Sequence, residues 1–284
     1  MACGAWHHDG MGARIDRQAS RLAARLERPI AALTRATGAT VRAAQRRVGS
    51  LGARRKGIGD FVTDVDVRTE RSLRRALVRL LPEAGFLGEE TDPHDLDREL
   101  LWVVDPIDGT SNFASGLAHF AVSVALLCRG QPILAALWAE PAGLLFTARL
   151  GAGARHDGRR LRCPPGAIDD SGMIGCQWFR GQGDLRFVAA LQRGGSRVRT
   201  FGSTVTQLLD VAQGRLDANV QEQGRIWDFA AAGLVVTESG GRFTTWNGAN
   251  VFPIRDLAVA HTATIASPRN IHRTLCRWLA GRLR

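Results

Sequence analysis

Lysine is almost missing from this chain: Lys56 is the only one among 38 basic residues, and the rest are arginine. Such a bias reads as codon usage and not as a binding design. The formal charge of +11 would attract a polyanion, but charge alone supports only non-specific attraction. Arg46-Arg47 and Arg54-Arg55-Lys56 are the one local concentration, and no aromatic residues interleave with them to stack bases. Long apolar runs are missing too. No stretch approaches the roughly 20 residues of a membrane span, and the Arg-rich first thirty residues hold no signal-peptide core. The five cysteines (Cys3, Cys128, Cys163, Cys176, Cys276) show no metal-type spacing, so reduced thiols in a soluble, cytoplasmic protein are expected. The histidines are paired only at His7-His8. A nucleic-acid partner and a membrane partner are not expected.

With 284 residues and 45% hydrophobic content, the chain can bury a large core in one unit or two fused halves. We read residues 1–13 as a loose arm. A helix runs from Ile15 through Ala19, Leu22 and Leu26, broken or restarted at Pro29, and a second helical stretch ends near Val48. Residues 1–50 thus form an N-terminal arm and first helices. Val65, Thr69, Leu73, Leu77 and Leu80 predict a helix stopped by Pro82. Phe120–Cys128, Ile133–Ala139 and Leu144–Ala148 read as a β-meander, completing an α+β unit over 51–150. The composition shift at Gly151–Ala154 marks the boundary to an α/β unit over 151–284. There, helices are expected at Thr204–Gln213, Asp228–Glu238 and Ile271–Leu283, and a strand at Ala258–Ile265. The linking segment 165–200, with Gly181, Gly183, Gly194 and Gly195, is expected to be compact and mobile.

The chemistry concentrates in Trp102-Val-Val-Asp-Pro-Ile-Asp-Gly-Thr-Ser-Asn-Phe113. An apolar run delivers Asp105 and Asp108 into a Pro- and Gly-bent turn, and the hydroxyl of Thr110 follows at a potential helix start. Carboxylates beside a helix N-terminus suit a divalent cation and a phosphate together. Mg²⁺ prefers oxygen ligands, and a pair of ions needs a bridging carboxylate plus several others. Glu89, Asp105, Asp108 and Asp228 are the candidates, from three separate segments. Each motif alone has a plainer reading: an acidic turn, a solvated Glu89-Glu90 pair, a helix cap at Trp227-Asp228. Their joint occurrence, in this order and with the Asp60–Asp66 segment, makes coincidence a poor account.

Together with Gly88-Glu89-Glu90 and Trp227-Asp228-Phe-Ala-Ala231, the turn resembles the inositol monophosphatase family of Mg-dependent, lithium-sensitive phosphatases. The resemblance covers about residues 55 to 275. It implies a layered αβαβα sandwich of the inositol monophosphatase / fructose-1,6-bisphosphatase-like fold, mixing α+β and α/β character. It also implies two or three Mg²⁺ per site: one held by Glu89, Asp105 and the Ile107 carbonyl, another by Asp105, Asp108 and Asp228, with Glu90 in support. The nucleophile is water activated by the metal beside Glu89 and oriented by Thr110, whose partner would be Asp66 in the segment Lys56–Asp66. Lys56 falls where the family also carries a lysine. Phosphate is expected on the backbone N–H groups of Gly109, Thr110 and Ser111.

Departures bear on the alcohol half of the substrate. Ser203 and Thr204 belong to a loop resembling the family's Gly-Ser-Ala segment, with Thr204 in place of Ala. Inositol phosphatases carry a substrate-binding Glu seven residues before the Trp-Asp aspartate; here that position is Gln221, and Glu222 comes one place later. Asp108, Ser203, Thr204, Gln221 and Glu222 are therefore the expected substrate contacts. Thr110-Ser111-Asn112-Phe113 looks like the inositol or sugar-phosphate branch. The expectation is a homodimeric phosphomonoesterase acting on a small phosphorylated polyol or sugar. Histidinol phosphate and fructose 1,6-bisphosphate are the alternative substrates. A regulatory protein associated with RNA or RNA polymerase is the alternative from another class.

Overall fold

The computed structural model describes residues 17–46, 54–57, 60–178, 185–255 and 262–282. The loose-arm reading of 1–13, and the expected helix end near Val48, lie outside them. Helix α1 (Arg17–Gln45) runs unbroken through Pro29, contrary to expectation. Pro29 is exposed, so its missing N–H and crowded ring strain only the solvent side. On the other side Ala19, Ala23, Leu26, Ile30, Thr34, Gly38 and Val41 are all buried. That continuous stripe, at about 1.5–3 kcal/mol for each large aliphatic side chain, offsets the proline's cost of about 3 kcal/mol. Gly38 lets the helix lie directly on the Trp138 ring, where a Cβ would sit 2.1 Å from a ring carbon.

After the hairpin β1 (Arg54–Gly57) and β2 (Asp60–Val62) comes α2 (Asp64–Leu80), started by Thr63 and Asp66 in a capping box. Strands β3 (Gly85–Gly88) and β4 (Leu100–Asp108) lead to a short helix α3 (Thr110–Ala114). The meander β5 (Ala121–Cys128), β6 (Gln131–Ala139) and β7 (Leu144–Arg149) follows as expected. It continues into β8 (Gly153–His156) and β9 (Arg159–Leu161). Asp157 and Gly158, both at positive φ, make the tight turn between these last two. All seven strands from β3 to β9 form one sheet in chain order. The chain thus stays in this sheet past the composition shift at Gly151–Ala154 and enters the second sheet only at Met173.

The segment expected to be a mobile linker contains β10 (Met173–Gln177), α4 (Arg186–Arg193) and β11 (Arg197–Arg199), while Gly181 and Gly183 lie outside the described residues. Helix α5 (Thr204–Gln213), β12 (Ala218–Gln221), α6 (Ile226–Glu238), β13 (Arg242–Thr245), β14 (Thr264–Ser267) and α7 (Arg269–Arg282) complete the chain. The five-stranded sheet runs β11-β10-β12-β14-β13. The strand expected at 258–265 begins at Thr264, and residues 256–261 lie outside the described set.

Three apolar clusters define the layers. Trp102, Val104, Val122 and Val124 of the large sheet pack with Leu26, Ile30, Leu73 and Leu77 of α1 and α2. Their strand neighbours Leu101, Val103 and Ala125 face the opposite way, with Leu208, Phe229, Ala230 and Val235 of α5 and α6. The second sheet closes over that central layer and carries α4 and α7 outside, through Ile174, Val220, Phe187, Leu275 and Leu279. The order is α, β, α, β, α, as expected. Strands buried on both faces read as continuous apolar runs, which explains β4. No described helix is long and apolar enough to cross a membrane. The described cysteines Cys128, Cys163, Cys176 and Cys276 are free thiols.

Candidate active site

Parallel pairing of β3 and β4 sets Gly88 beside Val104, so the next residues, Glu89 and Asp105, leave the sheet together. Asp105 and Asp108 are an odd number of residues apart, which in a regular strand would send their side chains to opposite faces. The pairing of β4 with β5 shifts register between them, at Pro106, and this irregularity gathers both on one side. Asp228, from the first turn of α6, joins them: ligand oxygens of Asp105, Asp108 and Asp228 lie within 4.8 Å of one another.

Helix starts surround this cluster, and their acids cap them. Asp66 Oδ2 accepts the Thr63 N–H at 2.9 Å and also the Thr63 hydroxyl. Asp228 Oδ2 accepts the Arg225 N–H at 2.8 Å. Asp108 reaches across to α5, accepting from the N–H groups of Thr204 (3.2 Å) and Val205 (2.9 Å) and from the Ser203 hydroxyl. Asp105 Oδ1 accepts the Ile107 N–H at 3.0 Å. Partial positive charge at each helix start partly offsets the crowding of negative charge.

That crowding shows in the proton affinities. Burial, then Glu89, Asp108, Asp228 and Asp66, hold the Asp105 carboxyl well above the usual range. Burial pushes Asp108 up to about 6, against the hydrogen bonds from Ser203, Val205 and Thr204. Buried Asp66 is raised as well, opposed by its bonds from Thr63 and Thr110. An all-oxygen donor set whose members repel one another when ionised fits a hard divalent cation.

Thr110 stands at the start of α3 with its Oγ1 3.0 Å from Asp66 Oδ1 and 2.9 Å from the Ile107 carbonyl oxygen. The expected Asp66–Thr110 pairing is therefore present. Gly109 precedes it in the left-handed region, at φ 87°, where a Cβ would also meet the His119 carbonyl oxygen at 2.8 Å. Ser111 follows, half-buried, in the first turn of α3. The side chain of Lys56 lies outside the described residues.

The substrate-side expectations land differently. Ser203 is 1% exposed; its hydroxyl donates to Asp108 and accepts from the Thr206 N–H, which makes it a helix cap holding an acid. Gln221, also 1% exposed, spends its Nε2 on Thr204 Oγ1 (3.1 Å) and on the Gln223 carbonyl (2.9 Å). It braces the pocket wall, whereas Glu222 is half-buried just past the strand end.

Two residues escaped the sequence reading. Asn112 donates to the carbonyls of His119 (2.7 Å) and Phe201 (2.6 Å), tying α3 to the 201–204 loop. Glu70 of α2 is fully buried, and its Oε2 accepts the N–H of Glu90 at 2.8 Å. The signal for Glu70 was its place four residues after Asp66 on one helix face.

The raised carboxyls carry a pH consequence. An acid raised in the folded state stabilises the metal-free protein fully below its ordinary pKa of about 4, and that contribution is lost as pH rises through about 6. A cation favours the ionised form and so acts in the opposite sense. Mg²⁺ should therefore raise Tm by several degrees near pH 7.5 and hardly at all near pH 5, read by calorimetry. Equal shifts at both pH values would contradict this account.

The inositol monophosphatase family model matches residues 23–281. The inositol-1-monophosphatase of Caulobacter vibrioides is 36% identical over 206 residues, 70% of this chain and 80% of that protein. The Nus factor SuhB of Xylella fastidiosa is 36% identical over 196 residues, 67% and 71% of the two chains. The crystal structure of the extragenic suppressor protein suhB from Bartonella henselae superposes with a TM-score of 0.78 at 30% identity, covering 87% of this chain and 95% of that one. This chain belongs to the inositol monophosphatase family and is a phosphomonoesterase of that type.

Proposed function

We propose that this phosphomonoesterase depends on Mg²⁺ and hydrolyses an inositol or sugar phosphate, with an activated water as nucleophile. The observation that carries the reading is the convergence of Asp105, Asp108 and Asp228 beside the Thr110–Asp66 pair. Glu89, Asp105, Asp108, Asp228 and the Ile107 carbonyl would hold the cations, two or three in number, with Glu90 in support. Bound there, the cations would neutralise phosphoryl charge and supply Lewis acidity.

The chain's own groups do the rest. Asp66 takes the Thr110 hydroxyl proton in a hydrogen bond, which leaves lone pairs on Thr110 Oγ1 to accept from a water and aim it. Substrate phosphate rests on the N–H groups of Gly109, Thr110 and Ser111, which no preceding helical turn can satisfy. With Gln221 closed into the wall, half-buried Glu222 is the acidic group for substrate hydroxyls, and Thr204 lies beside Gln221 to complete that wall.

A panel of inositol, sugar, histidinol and nucleotide phosphates, assayed with and without Mg²⁺, tests the reading. Turnover should require Mg²⁺ and favour the polyol and sugar esters. Asp105→Asn should lower it by at least about a thousandfold, since a ligand shared by two ions is lost; near-parental rates would sink the assignment. Thr110→Ala should lower kcat by roughly 10²–10⁴-fold while the Mg²⁺-induced rise in Tm persists. Disappearance of that rise would mean that Thr110 supports the cation site instead.

A second reading has its own observation. Arginines spread along the sequence gather in space: α1 and α2 turn Arg17, Arg21, Arg25, Arg28, Arg68, Arg71, Arg75 and Arg79 to solvent, while Asp66 and Glu70 face inward. Together with relatives named Nus factor SuhB, this supports association with RNA or with an RNA-bound assembly, alongside the enzymatic role. Binding to single-stranded RNA should weaken steeply with salt and survive Asp105→Asn. Binding that is salt-insensitive, or abolished by Asp105→Asn, would argue against a separate basic surface.

A further inference from the structure

Glu89 follows the last residue of β3, the edge strand of its sheet, so the ladder pairs that backbone on one side only. What holds the turn on its other side is Glu70. This carboxylate is 0% exposed, and its Oε2 takes the Glu90 N–H at 2.8 Å. It presses so closely on the turn that a Cβ at Gly88 would lie 2.3 Å from the Glu70 carboxyl carbon. The glycine of Gly88-Glu89-Glu90 thus makes room for a side chain from another element. Glu70 Oε1 is buried in turn, with no hydrogen-bond partner among the described residues. A buried carboxylate is costly to keep, so one committed to a single turn of backbone points to a positional task.

The same helix holds the other half of the site. Asp66 lies one turn before Glu70 on the inward face of α2 and receives the Thr110 hydroxyl. One rigid helix therefore grips the backbone beside Glu89 and the side chain of Thr110. We infer that Glu70 is a positioning residue, which through α2 sets the distance between the Glu89 ligand position and the Thr110 hydroxyl that aims the water. This inference rests on the reading of Glu89 as a cation ligand. Supporting residues behind metal ligands typically change affinity by roughly 10–100-fold when removed.

The test compares Glu70→Ala, Glu70→Gln and Glu70→Asp with Glu89→Gln in the full-length protein. Two readouts are taken: the Mg²⁺ concentration for half-maximal phosphatase activity, and the Mg²⁺-induced rise in Tm. Glu70→Ala should raise the required Mg²⁺ roughly 10–100-fold and shrink the Tm rise. Glu70→Gln, which keeps an oxygen for the Glu90 N–H, should restore both to within about threefold of the parent. Glu70→Asp, with its carboxylate drawn back by one methylene, should fall between them, and it serves as the test if the alanine variant does not fold. A normal Mg²⁺ response in Glu70→Asp and Glu70→Ala, beside a weakened one in Glu89→Gln, overturns the role of Glu70. An unchanged response in Glu89→Gln overturns the ligand reading itself, and with it this inference.

Discussion

Negative charge forced into a small, largely buried space is the constraint around which this molecule is organised. Asp105 and Asp108 are almost wholly inside the protein, and Glu89, Asp228 and Asp66 all raise the proton affinity of Asp105. Left alone, such a cluster would shed charge by taking up protons. The fold answers by aiming helix starts at it. Each carboxylate that caps a helix exchanges lost hydration for backbone N–H groups and for the favourable end of a helix dipole. Asp108 is the clearest case: a residue at the end of one sheet caps a helix of the central layer, so the site and the α5 docking are one set of hydrogen bonds. Residual repulsion is what makes the site ready for a cation.

The same economy explains why so few side chains are left to face substrate. Ser203, Gln221 and Asn112 hold walls and loops together, and their polar atoms are turned to Asp108, Thr204 and the carbonyls of His119 and Phe201. Polar groups buried this deeply need partners within the protein. Specificity is then left to groups at the rim, such as Glu222, and to the shape of the 201–204 loop. The outer face obeys no such demand, and it is there, on α1 and α2, that arginines accumulate.

Much of this was legible in the residues. Apolar periodicity marked α2, α5 and the β5–β7 meander, because burial on one or both faces writes itself into the pattern. The acidic turn, Thr110 and Asp66 could be picked out with the help of a family resemblance. Pro29 misled, because a proline's local cost says nothing about the burial available on the far side of the helix. The segment 165–200 misled as well: glycines suggested mobility, yet β10 and β11 are short strands whose stability comes from partners distant in the chain, such as β12. Glu70 was unreadable because an acid at helical spacing is ordinary, and only the position of Gly88 against it reveals its place.

By itself, the sequence determined the kinds of atoms at the site: carboxylates, a hydroxyl, and a glycine able to adopt positive φ before a helix start. These are properties of residues and of their immediate neighbours, so they survive without knowledge of the fold. Tertiary structure alone decided which of them meet. The register shift in β4 brings Asp105 and Asp108 to one side, and the docking of α6 adds Asp228. The inward face of α2 joins Asp66 to Thr110 and Glu70 to the turn at Glu89. Such meetings depend on pairing and packing between segments far apart in the chain, which no local spacing encodes.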